Sequence, residues 1–144
     1  MLYSLPMINR SMPQGQVIPE LAYPDVTAAA DWLCRAFGFR VRLSIGDHRI
    51  QLDYGSGSIV VRRGNAPVPG GSSHSVMVRV DDVDAHHAAA LAAGAAVSGP
   101  PEGFPFGERQ YGATDPGGHS WTFTESVADV DPATWGGRLP EGGA

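Results

Sequence analysis

PELAYPDVTAAADWLCRAFGFRV, from Pro19 to Val41, can be laid over VMVRVDDVDAHHAAALAAGAAV, from Val76 to Val97, and this overlay decides the fold. It pairs Asp25 with Asp82, Val26 with Val83, Ala28 with Ala85 and Ala36 with Ala93, and after a one-residue gap Gly38 with Gly94. Similarity of this kind inside one chain means a supersecondary unit used twice. Each copy reads as a strand, then a helix whose first turn is capped by an Asp side chain, then a glycine free to take the left-handed conformation that ends a helix. In the first helix Val26, Ala30, Leu33 and Phe37 recur at helical spacing, and Val83, His87, Ala90 and Leu91 form a weaker stripe in the second.

Segments of strand character follow each helix. They are FRVRLSI, HRIQLDY and SIVVRR in the first copy, and AAV, GERQYGAT and HSWTFTE in the second. The glycine-rich YGSGS and DPGGH join the last two strands of each copy, and Arg49 to Gly57 covers the same span as Arg109 to Gly117. The expectation is an α+β fold of two tandem βαβββ modules.

Where a helix covers one side of a strand, alternate residues face it and the others face away. Leu21, Tyr23, Ile50, Leu52, Ile59 and Val61, with Val78, Val80, Trp121 and Phe123, make the helix-facing core. The interleaved set is Glu20, Ala22, Arg49, Gln51, Asp53, Val60 and Arg62, with Ser75, Met77, Arg79, Arg109, Tyr111, Ser120, Thr122 and Thr124. An antiparallel sheet can simply show such a face to water. Here the polar positions are mixed with Met77, Val60 and Tyr111, a texture common in ligand pockets, and two equivalent sheets curling toward each other would enclose a cleft.

Composition bounds the rest. A chain of 144 residues with 42% hydrophobic content can bury one domain's core. Ten Lys+Arg against fifteen Asp+Glu, with no basic run, exclude nucleic acid as an expected partner. Cys34 is the only cysteine, so neither an intrachain disulfide nor a thiolate zinc cluster can form, which suits a reducing cytoplasm. No run of about eighteen apolar residues occurs, so no membrane span is expected, and MLYSLPMINRSMPQGQ lacks the continuous apolar stretch of a secretory signal. The domain boundaries read as an N-terminal extension over 1–16, module one over 17–65, module two over 74–125, a docking tail over 126–137 anchored through Trp135, and a flexible C-terminus over 138–144.

The paired strand-Asp-helix-Gly units, GFPFGERQYGATDPGGHSWTF and the following ADVDPATWGG resemble the glyoxalase/bleomycin-resistance/dioxygenase (vicinal oxygen chelate) superfamily over roughly residues 17 to 137. The resemblance implies paired βαβββ modules forming an open barrel-like sheet with a central cleft, often in homodimers. It also implies one of several activities: lyase, isomerase, extradiol dioxygenase or non-catalytic sequestration of a drug. Metal-dependent members carry His, Gln or Glu on the first and last strand of each module. Counted from the capping aspartates, those positions fall here at Ile18 and Ser75, near Arg62, and at Thr122. An arginine there opposes a cation and has no lone pair to give. No metal residues and no cofactor are therefore expected, with a divalent metal the alternative.

The principal expectation is a metal-free protein that binds a small, partly aromatic or anionic molecule in the cleft. Arg49, Arg62, Arg79 and Arg109 would supply charge, and Gln51 and Thr122 hydrogen bonds. Met77, Tyr111, Phe104 and Phe106 would supply contact area, the two phenylalanines from a loop that could act as a lid. The alternative is a divalent-metal lyase, isomerase or dioxygenase. A third reading makes Glu20 a general base, which requires burial to raise its pKa. His86 and His87, adjacent on a helix, cannot chelate from one face, and His119 belongs to a turn where bracing is the simpler role.

Overall fold

The computed structural model describes residues 8–65, 67 and 74–141. Residues 1–7 of the expected extension and 142–144 of the expected flexible end lie outside the described residues. Contacts gather the chain into two units, Met1–Pro67 and Val68–Ala144.

The first unit runs β1 (Glu20–Tyr23), α1 (Val26–Phe37), β2 (Arg40–Ile45), β3 (Arg49–Tyr54) and β4 (Gly57–Arg63). Its sheet has the order β1-β4-β3-β2, with β1 parallel to β4 and the other pairs antiparallel. The second runs β5 (Val76–Arg79), α2 (Val83–Ala92), β6 (Ala96–Val97), β7 (Glu102–Gly103), β8 (Glu108–Thr114) and β9 (Ser120–Ser126), then a short 3-10 turn at Pro132–Trp135. Its order is β5-β9-β8-β6, with β5 parallel to β9 and the two-residue β7 also paired to β8. Apart from β7, the two units share one βαβββ pattern, and the fold class is α+β.

Equivalent residues start the two helices. The Asp25 carboxylate accepts from the Ala28 N–H, and the Asp82 carboxylate from the Ala85 N–H, each at 3.0 Å. Each satisfies a helix-start donor that would otherwise lack a partner, a contribution of about 1 kcal/mol. Gly38, at φ 87°, ends α1, and its N–H returns to the Cys34 carbonyl. In the second unit α2 stops at Ala92 and Gly94 takes the left-handed conformation at φ 89°.

Packing follows the expected stripe in α1, where Val26, Ala30, Leu33 and Phe37 are all buried against the sheet. In α2 only Val83 and Ala90 are buried. Leu91 stands 48% exposed, because it lies about 100° around the helix from Ala90, on the solvent side. The strand core is as expected at Leu21, Tyr23, Ile50, Leu52, Ile59, Val61, Val80, Trp121 and Phe123, while Val78 is only half-buried.

The hairpin turns differ in length. In the first unit Tyr54 pairs with Gly57, leaving a two-residue turn; in the second Thr114 pairs with Ser120, leaving five residues. The longer turn is built around Asp115, which is buried. Its carboxylate accepts from the His119 main-chain N–H and from the Trp121 indole N–H, both at 3.0 Å. Bracing of this turn thus comes from the Asp115 side chain and the His119 main chain.

Candidate ligand-binding faces

Each sheet has a face that alternates with its helix-covered core, called here the helix-free face. In the first unit it carries Glu20 and Ala22 from β1, Arg49, Gln51 and Asp53 from β3, and Val60 and Arg62 from β4, the parity expected from sequence. Gln51 lies opposite Val60, and Arg49 opposite Arg62. The Arg49 guanidinium donates to the Glu20 carboxylate at 2.8 Å. Glu20 is exposed and held by this ion pair, so the burial that a general-base role requires is not found. Arg62 is exposed and has no ion pair among the described residues.

Gln51 is almost fully buried, and its partners were not foreseen. Its Nε2 donates to the Ser11 carbonyl at 2.8 Å, and its Oε1 accepts from Arg42. Arg42 also donates to the Arg10 carbonyl at 3.1 Å. The register of β2 shifts between Val41, which is opposite Leu52, and Leu43, which is opposite Gln51. Arg42 is the extra residue of this bulge, so strict alternation does not find it.

In the second unit the helix-free face carries Met77 and Arg79 from β5 and Thr122 and Thr124 from β9, Met77 lying opposite Thr122 and Arg79 opposite Thr124. On β8 the assignment from sequence is overturned. Arg109 and Tyr111 lie on the helix-covered side, and Glu108 and Gln110 occupy the helix-free face. Arg109 forks onto the Asp84 carboxylate of α2, Nε at 3.1 Å and Nη2 at 2.8 Å. The Arg109 hydrogen bond draws the Asp84 carboxyl below its ordinary range, and the same bond raises the Arg109 guanidinium. Tyr111 is 3% exposed, stacks on Phe123 at 5.2 Å and places its hydroxyl 2.6 Å from His86 Nδ1.

The cause is the turn. Equating Arg49–Gly57 with Arg109–Gly117 assumed equal hairpins, but turns of two and five residues differ by an odd number, and an odd slip moves every side chain to the other face. The missed residues form a connected polar group: Thr124 Oγ1 donates to Glu108 at 2.6 Å and accepts from Gln110 Nε2 at 3.1 Å. Hydrogen bonds from Ser126 and then Thr124, with the Arg79 charge adding to them against a smaller desolvation, hold the Glu108 carboxyl below its usual range. Phe123, already assigned to the core, lies opposite Tyr111 and so holds it on the same face, a pairing that follows only once the turn length is known.

The loop phenylalanines are only partly available. Phe104 stacks on Phe106 at 5.5 Å, and Phe106 meets Trp135 at 5.3 Å, so the tail packs on the loop and leaves Phe104 the more exposed ring. Gly107 joins the two segments: its carbonyl accepts from Val127 N–H at 2.8 Å and Ala128 N–H at 3.3 Å.

The positions at which the resemblance implies metal ligands carry poor donors. Ile18 is half-buried just before β1, Arg62 is exposed on β4, Ser75 is exposed just before β5 and Thr122 lies half-buried on β9. An alkyl chain, a guanidinium and two neutral hydroxyls do not make a divalent-metal site. No group of three or more His, Cys, Asp or Glu able to hold a metal occurs among the described residues. Burial, then the Asp31 charge, push the Cys34 thiol upward, which disfavours its thiolate. Among the described residues no helix is long and apolar enough to cross a membrane.

Two βαβββ units of common topology, each with one helix-covered and one polar helix-free face, define the structural class. The chain belongs to the glyoxalase/bleomycin resistance protein/dioxygenase superfamily, whose family profile matches residues 15–123. Among solved structures it is similar to TioX from Micromonospora sp. ML1, at 40% identity and a TM-score of 0.65, over 81% of this chain and 100% of that one. It shares its fold with a lactoylglutathione lyase from Agrobacterium tumefaciens, at 20% identity and a TM-score of 0.61, over 86% of this chain and 98% of that one. A glyoxalase-related enzyme from Fulvimarina pelagi stands at 20% identity and 0.62, over 78% and 88%. A search of curated proteins returned no match.

Proposed function

We propose that this chain is a metal-free member of the superfamily that binds a small, partly aromatic or anionic molecule against its helix-free faces. The observation that carries this reading is the donor set: Ile18, Ser75, the neighbourhood of Arg62, and Thr122 are the positions at which the superfamily resemblance implies metal ligands, and none offers a good one. Arg62 and Arg79 are exposed cations on these faces, and Met77, 62% exposed beside Thr122, supplies apolar contact. Arg49 contributes less charge, because Glu20 offsets it. Phe104 offers an exposed aromatic edge, while Arg109 and Tyr111 act through the fold.

A homodimer in the cytoplasm, with no cofactor, completes the reading. It is supported by the superfamily resemblance and, for the compartment, by a lone cysteine. The test is elemental analysis of protein purified without chelators, followed by calorimetric titration with nickel, zinc, iron(II) and manganese. The expected result is no stoichiometric metal and no tight binding. One tightly bound divalent ion per chain would refute the reading and favour a lyase, isomerase or dioxygenase.

A further inference from the structure

The helix-free face of the first unit holds a piece of its own chain. Gln51 and Val60 are each 2% exposed although they alternate with the residues that α1 covers. What meets the Gln51 amide is main chain: Ser11 carbonyl on Nε2, with the adjacent Arg10 carbonyl held by Arg42. The segment is shaped for this contact. The Asn9 side chain accepts from the Ser11 N–H at 3.0 Å, the Asn9 carbonyl accepts from the Met12 N–H at 3.1 Å, and Pro13 is buried. Ile8 and Met12 remain 77% and 46% exposed, so the apolar side chains contribute little to the hold. Two carbonyl hydrogen bonds and one proline make a modest attachment.

We propose that residues 9–13 are a displaceable internal occupant of this face, and that a ligand presenting acceptor oxygens to Arg42 and Gln51 binds there by replacing them. The inference rests on the reading of the helix-free faces as ligand sites. Once released, Arg42 and Gln51 present fixed N–H donors, a match for a sulfonate, a carboxylate or an amide carbonyl. Because the occupied state cannot bind, the apparent affinity is the open-state affinity multiplied by the fraction of molecules in which the segment has left.

The test uses the full chain and the probe 1-anilinonaphthalene-8-sulfonate, a small aromatic anion. Asn9→Ala removes the turn hydrogen bond, and Pro13→Gly removes the buried ring and raises the entropy of the released segment; neither residue lies on the sheet. Tryptic cleavage after Arg10, followed by mass spectrometry, reports release. Both variants should be cut faster at Arg10 and bind the dye about three- to tenfold more tightly, as expected for loss of one such contact. Saturating dye should also accelerate cleavage of the wild-type chain. Unchanged cleavage in both variants overturns the proposal, and so does faster cleavage without tighter binding. If dye affinity falls in Arg42→Ala yet does not rise in the two segment variants, displacement alone is overturned and the ligand face stands. If Arg42→Ala and Met77→Ala both leave dye affinity unchanged, the ligand reading itself fails and takes the displacement with it.

Discussion

Replacing Asp115 by Ala tests whether one buried carboxylate sets the geometry of the second sheet. Its two oxygens accept from the Trp121 indole N–H and the His119 main-chain N–H, with Trp121 1% exposed and Asp115 4% exposed. Removing the acceptor leaves buried donors without partners, at about 1–3 kcal/mol for each orphaned group. Partial access of water to the opened turn favours a total of about 3 kcal/mol. For a chain of this size that corresponds to a fall in Tm of roughly 10 °C. Asp115→Asn keeps one carbonyl oxygen and can serve one donor, so it should lose about half as much. Thermal and urea unfolding followed by tryptophan fluorescence measure both. Equal losses in the Asn and Ala variants, or an Ala variant within about 0.5 kcal/mol of wild type, would show that the turn is held by something other than the acceptor.

Two further expectations concern the same unit. Glu108 has its carboxyl lowered by Ser126 and Thr124, so the stability it contributes is present above the ordinary glutamate value of 4.5 and disappears as pH falls through its lower folded value. The urea midpoint of the wild type should therefore fall toward that of Glu108→Gln on acidification below about pH 5, and a gap constant with pH would contradict the assignment. Gly107 sits at φ 82°, and an added Cβ would collide with the Ala128 carbonyl oxygen. Gly107→Ala should cost about 2 kcal/mol or more and loosen Trp135 from Phe106, visible as a shift in tryptophan emission; a neutral variant would mean that the tail contact is dispensable.

Much of the fold was legible because it depends on local rules that the sequence repeats. An Asp three residues ahead of the donor it caps, a glycine past each helix, and an apolar residue at every second strand position each act over a few residues. Parity was correct on β1, β3, β4, β5 and β9, where several apolar residues fix it. It failed on β8, ERQYGAT, whose one large apolar residue cannot choose a face alone and whose turn length had to be assumed. Arg42 was hidden by a bulge, which breaks the period that would have located it. The contact of Arg10 and Ser11 with Gln51 runs through carbonyls, which every residue owns, so no side-chain pattern announces it. For the same reason the candidate site was read only in part: the arginines and Met77 are visible as residue types, whereas the Glu108–Thr124–Gln110 group exists only once the strands are in register.

The margins of the two sheets bear on how the protein behaves in crowded solution. A strand at the end of a sheet offers unpaired N–H and C=O groups on which another molecule can build. β1 is four residues long and bracketed by Pro19 and Pro24, which have no N–H to donate. β2 is kinked by its bulge and carries Arg40 and Arg42, and β6 is two residues long, with Gly99, Pro100 and Pro101 close behind. β5, the remaining margin, is four residues long and ends in Arg79. Each of these features resists extension into a foreign strand, which guards either sheet against growth into fibrils.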